Sequence, residues 1–90
     1  MMTLDDLAVR SGSFAMHLAR LRDGRQPNWE VLETPEADRS LVFYMMQRES
    51  QAALIAYLDA LADHQLIDLD DAERLRIEVA ELGDRICSSN

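Results

Sequence analysis

The chain contains no lysine. All nine basic residues are arginine, set against 17 acidic residues, for a net charge of −8. That balance repels nucleic acid over most of the surface and suits a basic protein partner. There is one cysteine, Cys87, which excludes an internal disulfide and a cysteine-built zinc site and fits a reducing, cytoplasmic setting. The three glycines, Gly12, Gly24 and Gly83, lie too far apart for a phosphate-cradling loop. No apolar run approaches the ~20 residues of a membrane span. No basic segment followed by an apolar run marks a signal peptide, so a cytoplasmic, non-membrane protein is expected. The two histidines, His17 and His64, lack metal-ligand partners at helical spacing and read as surface or boundary residues. Asp68, Asp70 and Asp71 cluster, but without the glycine and distal glutamate of a calcium loop. Nothing supplies a converging nucleophile, base and stabiliser, so the expectation is a non-enzymatic protein without cofactor or metal.

Ninety residues, 48% of them hydrophobic, suffice for one small domain over 1–90. A chain this short leaves room for a second copy to complete its core, so a homodimer is expected. Arginine without lysine, with abundant Ala, Leu and Asp, matches the coding of a GC-rich bacterium or its phage.

Every strong local signal is helical, and the expected fold class is all-α. Met1 and Met2 precede Thr3, an N-cap with Asp5 and Asp6 in the first turn behind it. A helix is predicted from Leu4 to Arg10. Ser11-Gly12-Ser13 interrupts it, with Gly12 suited to a positive φ and Ser13 to capping a second helix from Phe14 to Arg22. The alternative is one continuous helix from Leu4 to Arg22. Leu4, Leu7, Ala8, Leu18 and Leu21 face inward in the two-helix reading.

Residues 3–24 resemble the helix-turn-helix of the Cro/repressor family, whose wording is T-L-x-x-L-A-x-x-S-G-x-S-x-x-x-L-x-x-L-x-x-G. Thr3, Leu4, Leu7, Ala8, Ser11, Gly12, Leu18, Leu21 and Gly24 match in register. The family's preceding helix has no counterpart ahead of Thr3, and Ser13 stands where an apolar residue is usual. The resemblance implies a helix lying in the DNA major groove. It puts base reading on Phe14, Ala15, Met16 and Arg20, of which only Arg20 is a strong donor to a base edge. Arg10, Arg22 and Arg25 would then contact phosphates.

Beyond residue 25, Pro27-Asn28 signals a turn, with Asn28 capping a short helix through Trp29 to Leu32. Trp29, the only tryptophan, reads as a core anchor or, more sharply, as an interface hot spot. Thr34-Pro35-Glu36 predicts the start of a helix running to about His64, roughly 45 Å at 1.5 Å per residue. Leu41, Met45, Ala52, Ile55 and Ala62 form one stripe; Leu54, Leu58 and Leu61 form another. Residues 41–46, Leu-Val-Phe-Tyr-Met-Met, are apolar on every side, as a turn packed in the core or a docking patch would be. Arg48-Glu49-Ser50 is the place for a kink, if there is one. A hinge over residues 66–71 leads to a last helix from about Asp70 to Ile86. Its stripe Ala72, Leu75, Val79, Leu82 and Ile86 predicts an antiparallel hairpin with the long helix. Cys87 to Asn90 read as a frayed tail.

Charge separates two functional expectations. Residues 1–25 carry +1 and the remainder −9. The first expectation is a regulator acting by protein–protein binding, through Trp29, Phe43, Tyr44, Met46, Asp59 and Asp63. Its partner would be a basic nucleic-acid-binding complex, inhibited by a phage or mobile-element protein. The alternative is a small DNA-binding transcription regulator using Arg10, Arg20, Arg22 and Arg25.

Overall fold

Short polar side chains set the helix boundaries in the computed structural model, which describes the backbone of residues 1–88 and the side chains of residues 1–86. Helix α1 spans Leu4–Arg10. Thr3 Oγ1 accepts from the Asp6 N–H at 3.1 Å, and the Asp6 carboxylate accepts from the Thr3 N–H at 3.0 Å, closing a capping box. The bond from the Thr3 backbone, and then that to its side chain, hold the Asp6 carboxyl below its ordinary range.

Helix α2, Gly12–Arg22, begins one residue after α1 ends. Ser11 serves both helices. Its backbone is extended (φ −139°), its N–H donates to the Leu7 carbonyl, and its Oγ accepts from the Phe14 N–H at 3.2 Å. The two-helix reading therefore holds, but the expected turn at Gly12 with Ser13 as cap does not. A hydroxyl on an extended residue 11 already reaches the third amide of α2, so Gly12 is simply the first helical residue. The glycine with positive φ among the described residues is Gly24 (φ 68°). It ends α2, and the Arg25 N–H turns back to the Ala19 carbonyl at 3.3 Å.

Helix α3, Trp29–Leu32, is a single turn. Asn28 Oδ1 accepts from the amides of Glu30 and Val31 at 3.1 and 3.3 Å, as the sequence predicts. Glu33 leaves the turn in the left-handed region (φ 51°). Thr34 does not cap the next helix: its hydroxyl donates to the Leu32 carbonyl at 3.5 Å. The chain then makes a 3-10 turn over Glu36–Asp38 and enters α4, Arg39–Asp63. The helix expected from Pro35 thus starts later, because Pro35 is extended (ψ 142°) and Arg39 Nε reaches back to the Thr34 carbonyl at 3.1 Å. α4 passes through residues 48–50 as continuous α-helix, without the alternative kink.

Helix α5 spans Leu69–Ser88. Arg76 pairs with Asp59, and Gly83 lies against Gln51. Residue numbers rise on one helix as they fall on the other, so α4 and α5 form the antiparallel hairpin expected. The backbone of Cys87 and Ser88 belongs to α5; the rest of the anticipated tail lies outside the described residues.

The fold is all-α, with no strand among the described residues. The core joins Leu4 and Leu7 of α1, Phe14, Leu18 and Leu21 of α2, Leu54 and Leu58 of α4, and Leu75, Val79 and Leu82 of α5. Ala8, Ile55, Leu61 and Ile86 are half-buried at its edge. Met2 packs there too, and Arg74 donates to its carbonyl, so the fraying expected of the first two residues stops at Met2. Of the two α4 stripes, Leu54-Leu58-Leu61 points into the core. Leu41, Met45 and Ala52 of the other stripe face out, because α2 and α5 already occupy both flanks of the helix. The molecule measures 43 × 27 × 18 Å, about two helices thick. No helix among the described residues is long and apolar enough to cross a membrane.

Candidate functional site

The end of the molecule built by α3 and the start of α4 groups exposed apolar side chains with aromatic ones. The Trp29 and Phe43 rings meet edge-on with centroids 6.4 Å apart, tying α3 to α4. Arg39 lies over the indole at 5.8 Å, and Trp29 Nε1 donates to Gln26 Oε1 at 3.1 Å. Trp29 is therefore half-buried outside the core, not the anchor that one sequence reading expected. The one-turn helix α3 meets α4 through Trp29 and has no buried residue of its own. Phe43, Tyr44 and Met46 are likewise half-buried. Around them Val31 is 74% exposed, Leu41 64% and Met45 60%, with Leu32 also exposed. Glu30, Glu33, Glu36 and Asp38 are all exposed on the same short stretch. The sequence-level patch at 41–46 is thus neither all core nor all surface: Val42, Phe43, Tyr44 and Met46 turn partly inward and Leu41 and Met45 outward.

Asp59 and Asp63 stand apart from this end, farther along α4. Asp59 is engaged, with Arg76 Nη1 2.6 Å from its Oδ1. Asp63 is exposed at the last turn of α4.

Of the four N-terminal arginines, Arg20 and Arg25 line one open hollow, while Arg22 is engaged elsewhere. Arg22 Nη1 donates to Asp5 Oδ1 at 3.0 Å and its Nε lies 3.5 Å from Asp23. The hydrogen bond to Asp5 keeps the guanidinium firmly charged, above its ordinary value. Arg20 turns inward, its Nη1 donating to Ser50 Oγ at 3.3 Å. Arg10 and Arg25 are exposed. Phe14, one of the base-reading positions implied by the resemblance, is 1% exposed and packs on Tyr57 with ring centroids 5.2 Å apart. It belongs to the core and cannot reach a base. Met16 is exposed; Ala15 is half-buried.

Sequence reasoning missed the polar junction between α2 and α4. Ser50 is fully buried, His17 Nδ1 lies 2.9 Å from its Oγ, and the buried Gln47 donates through Nε2 to the Arg20 carbonyl at 3.2 Å. With Arg20 donating to Oγ, the hydroxyl proton is free to point at Nδ1, which suits a neutral imidazole. Burial, and then the Arg20 charge, hold His17 below its ordinary value, with Glu49 opposing. The Ser50 hydroxyl beside the histidine is wholly shielded, at 0% exposure. The available signal was Ser50 and Gln47 sharing one face of α4 with Leu54 and Leu58. His64 is exposed. No group of three or more His, Cys, Asp or Glu among the described residues could hold a metal ion.

No family model, curated protein or solved structure matches this chain.

Proposed function

We propose that the protein is a non-catalytic regulator that binds a basic protein surface through the end formed by α3 and the start of α4. The observation that carries this reading is the exposure of Val31, Leu32, Leu41 and Met45 beside the Trp29–Phe43 pair, edged by four carboxylates. Apolar side chains grouped with aromatics give affinity, and the acidic rim selects a cationic partner and speeds encounter. One form of this reading is an inhibitor that occupies the basic channel of a nucleic-acid-binding complex, as a phage or mobile-element protein would. The outward stripe of α4 also supports a homodimer, and sedimentation showing only a 10.3 kDa species at micromolar concentration would remove it. The docking test is capture from a bacterial lysate with and without nuclease, comparing wild type with Leu41→Ser/Met45→Ser and Glu36→Arg. Capture of the same protein that survives nuclease and is lost in both variants supports the reading; equal capture by all three rejects it.

DNA reading through α2 is the second proposal, favoured by the α1–α2 pair and by the exposed Arg10 and Arg25. Weighing against it are Phe14 in the core, Arg22 paired with Asp5, and a one-residue junction where a helix-turn-helix has three or four. Sequence-specific, salt-sensitive binding to duplex DNA that is lost in Arg20→Ala would establish this reading over the first.

A further inference from the structure

The chain leaving α2 folds beside that helix and encloses an open hollow of about 270 Å³, lined by Met16, Arg20, Arg25, Gln26 and Pro27. We infer that this hollow binds a small phosphorylated molecule, held by the guanidinium groups of Arg20 and Arg25. In a chain of net charge −8 its lining contains no carboxylate.

Both arginines are placed by the fold. Arg20 is fixed at two points: its carbonyl accepts from Gln47 Nε2 at 3.2 Å, and one guanidinium nitrogen donates to the fully buried Ser50 at 3.3 Å. A guanidinium has five N–H donors, so most remain free. Arg25 is delivered by the left-handed Gly24 and by its own N–H bond to the Ala19 carbonyl. Among the described residues no carboxylate pairs with it. Gln26 completes the set. Its Oε1 is occupied by Trp29 Nε1, which leaves its NH₂ to donate.

The polar groups of the lining are thus two cationic forks and an amide donor. A phosphate, all acceptors, is their complement, and it offers one more oxygen than a carboxylate. Met16 and Pro27 provide an apolar wall for whatever carries the phosphate. The volume falls just below the usual range of pockets for drug-sized ligands, about 300–1,000 Å³, so the fit is to a phosphomonoester on a small body. Arg20 is held in advance, so little side-chain freedom is lost on binding.

The test is a ¹H–¹⁵N NMR titration at constant ionic strength with inorganic phosphate, glycerol phosphate, acetate and a short DNA duplex in separate arms. Saturable shifts at the amides of Met16, Arg20, Arg25 and Gln26 are expected with both phosphates, and weaker ones with acetate. Arg25→Ala, an exposed substitution whose fold circular dichroism checks, should weaken phosphate binding about tenfold, and Arg25→Lys should recover part of it. The inference is overturned if phosphate gives no saturable shift, if acetate binds equally well, or if Arg25→Ala changes nothing. It is also overturned if only the duplex perturbs these residues, which would favour the DNA reading instead. None of these outcomes bears on docking by α3 and α4.

Discussion

The first third of α4, from Arg39 to Met46, carries a run of six apolar residues and yet holds no buried one. The remainder, from Gln47 to Asp63, is more polar and holds all four of the helix's buried residues: Gln47, Ser50, Leu54 and Leu58. The difference lies in the neighbours. Past Met46, α4 is flanked by α2 on one side and α5 on the other. Before it, the neighbours among the described residues are short: the single turn of α3, through Trp29 on Phe43, and the 3-10 turn that leads into α4. Apolar content alone does not bury a segment; a second layer does. What the early part keeps exposed is therefore available to a partner, and what the later part buries is committed to stability.

Truncations in the later part and in α2 packed on it should have the largest effect. Leu58→Ala and Phe14→Ala remove fully buried side chains and should each cost ~2–5 kcal/mol, visible as a large drop in Tm. A melt like wild type for Leu58→Ala would mean that the hairpin does not form as described. Gly83→Val should cost less, about 1 kcal/mol, because the atoms it meets are the movable end of the Gln51 side chain, which must swing out of the α4–α5 contact; denaturant titration measures it. Acidification comes next. His17 is depressed in the folded state, so the unfolded chain binds its proton first. Its contribution is present above the ordinary value of 6.5 and is lost as the pH falls through the folded value. Tm should therefore decline as the pH falls below 6.5, and His17→Gln should flatten that part of the curve. A decline of the same size in His17→Gln would assign it to other groups.

Asp59→Asn breaks an ion pair whose side chains are both more than two-fifths exposed, so a change below ~1 kcal/mol, shrinking with salt, is expected. The smallest effect belongs to the early part of α4. Leu41→Ser and Met45→Ser should leave stability within ~0.5 kcal/mol of wild type by chemical denaturation. A loss approaching that of Leu58→Ala would show that this end is buried in solution, as in a dimer.

The same contrast explains how far the sequence could be read. The core stripes were legible in Leu4, Leu7, Leu18 and Leu21 and in the α5 run from Ala72 to Leu82, because three-and-four spacing repeats over enough turns. Asn28 and Thr3 announced their caps. Ser11 did not, because a cap that serves two helices at once looks like part of a three-residue turn. Nor did the exposure of Leu41 and Met45 show. A window that is apolar on all sides carries no record of how many neighbours it will meet. The His17–Ser50–Arg20 junction was out of reach for another reason: its members are 30 and 33 residues apart, and only the crossing of α2 and α4 makes them adjacent. The hollow at Arg20 and Arg25 depends on the same crossing and on the left-handed turn at Gly24.

Gly83 has a consequence for how the hairpin assembles. A Cβ at that position would come within 2.2–2.6 Å of the Gln51 side chain, so α5 offers a notch at one place along its length. Sliding α5 along α4 by one helical turn, about 5.4 Å, would present Val79 or Cys87 to Gln51 instead. Neither has the notch. Two regular helices with repeating apolar stripes could otherwise pair in several offsets of similar energy, and the missing side chain favours the one in which Gln51 keeps its place against α5.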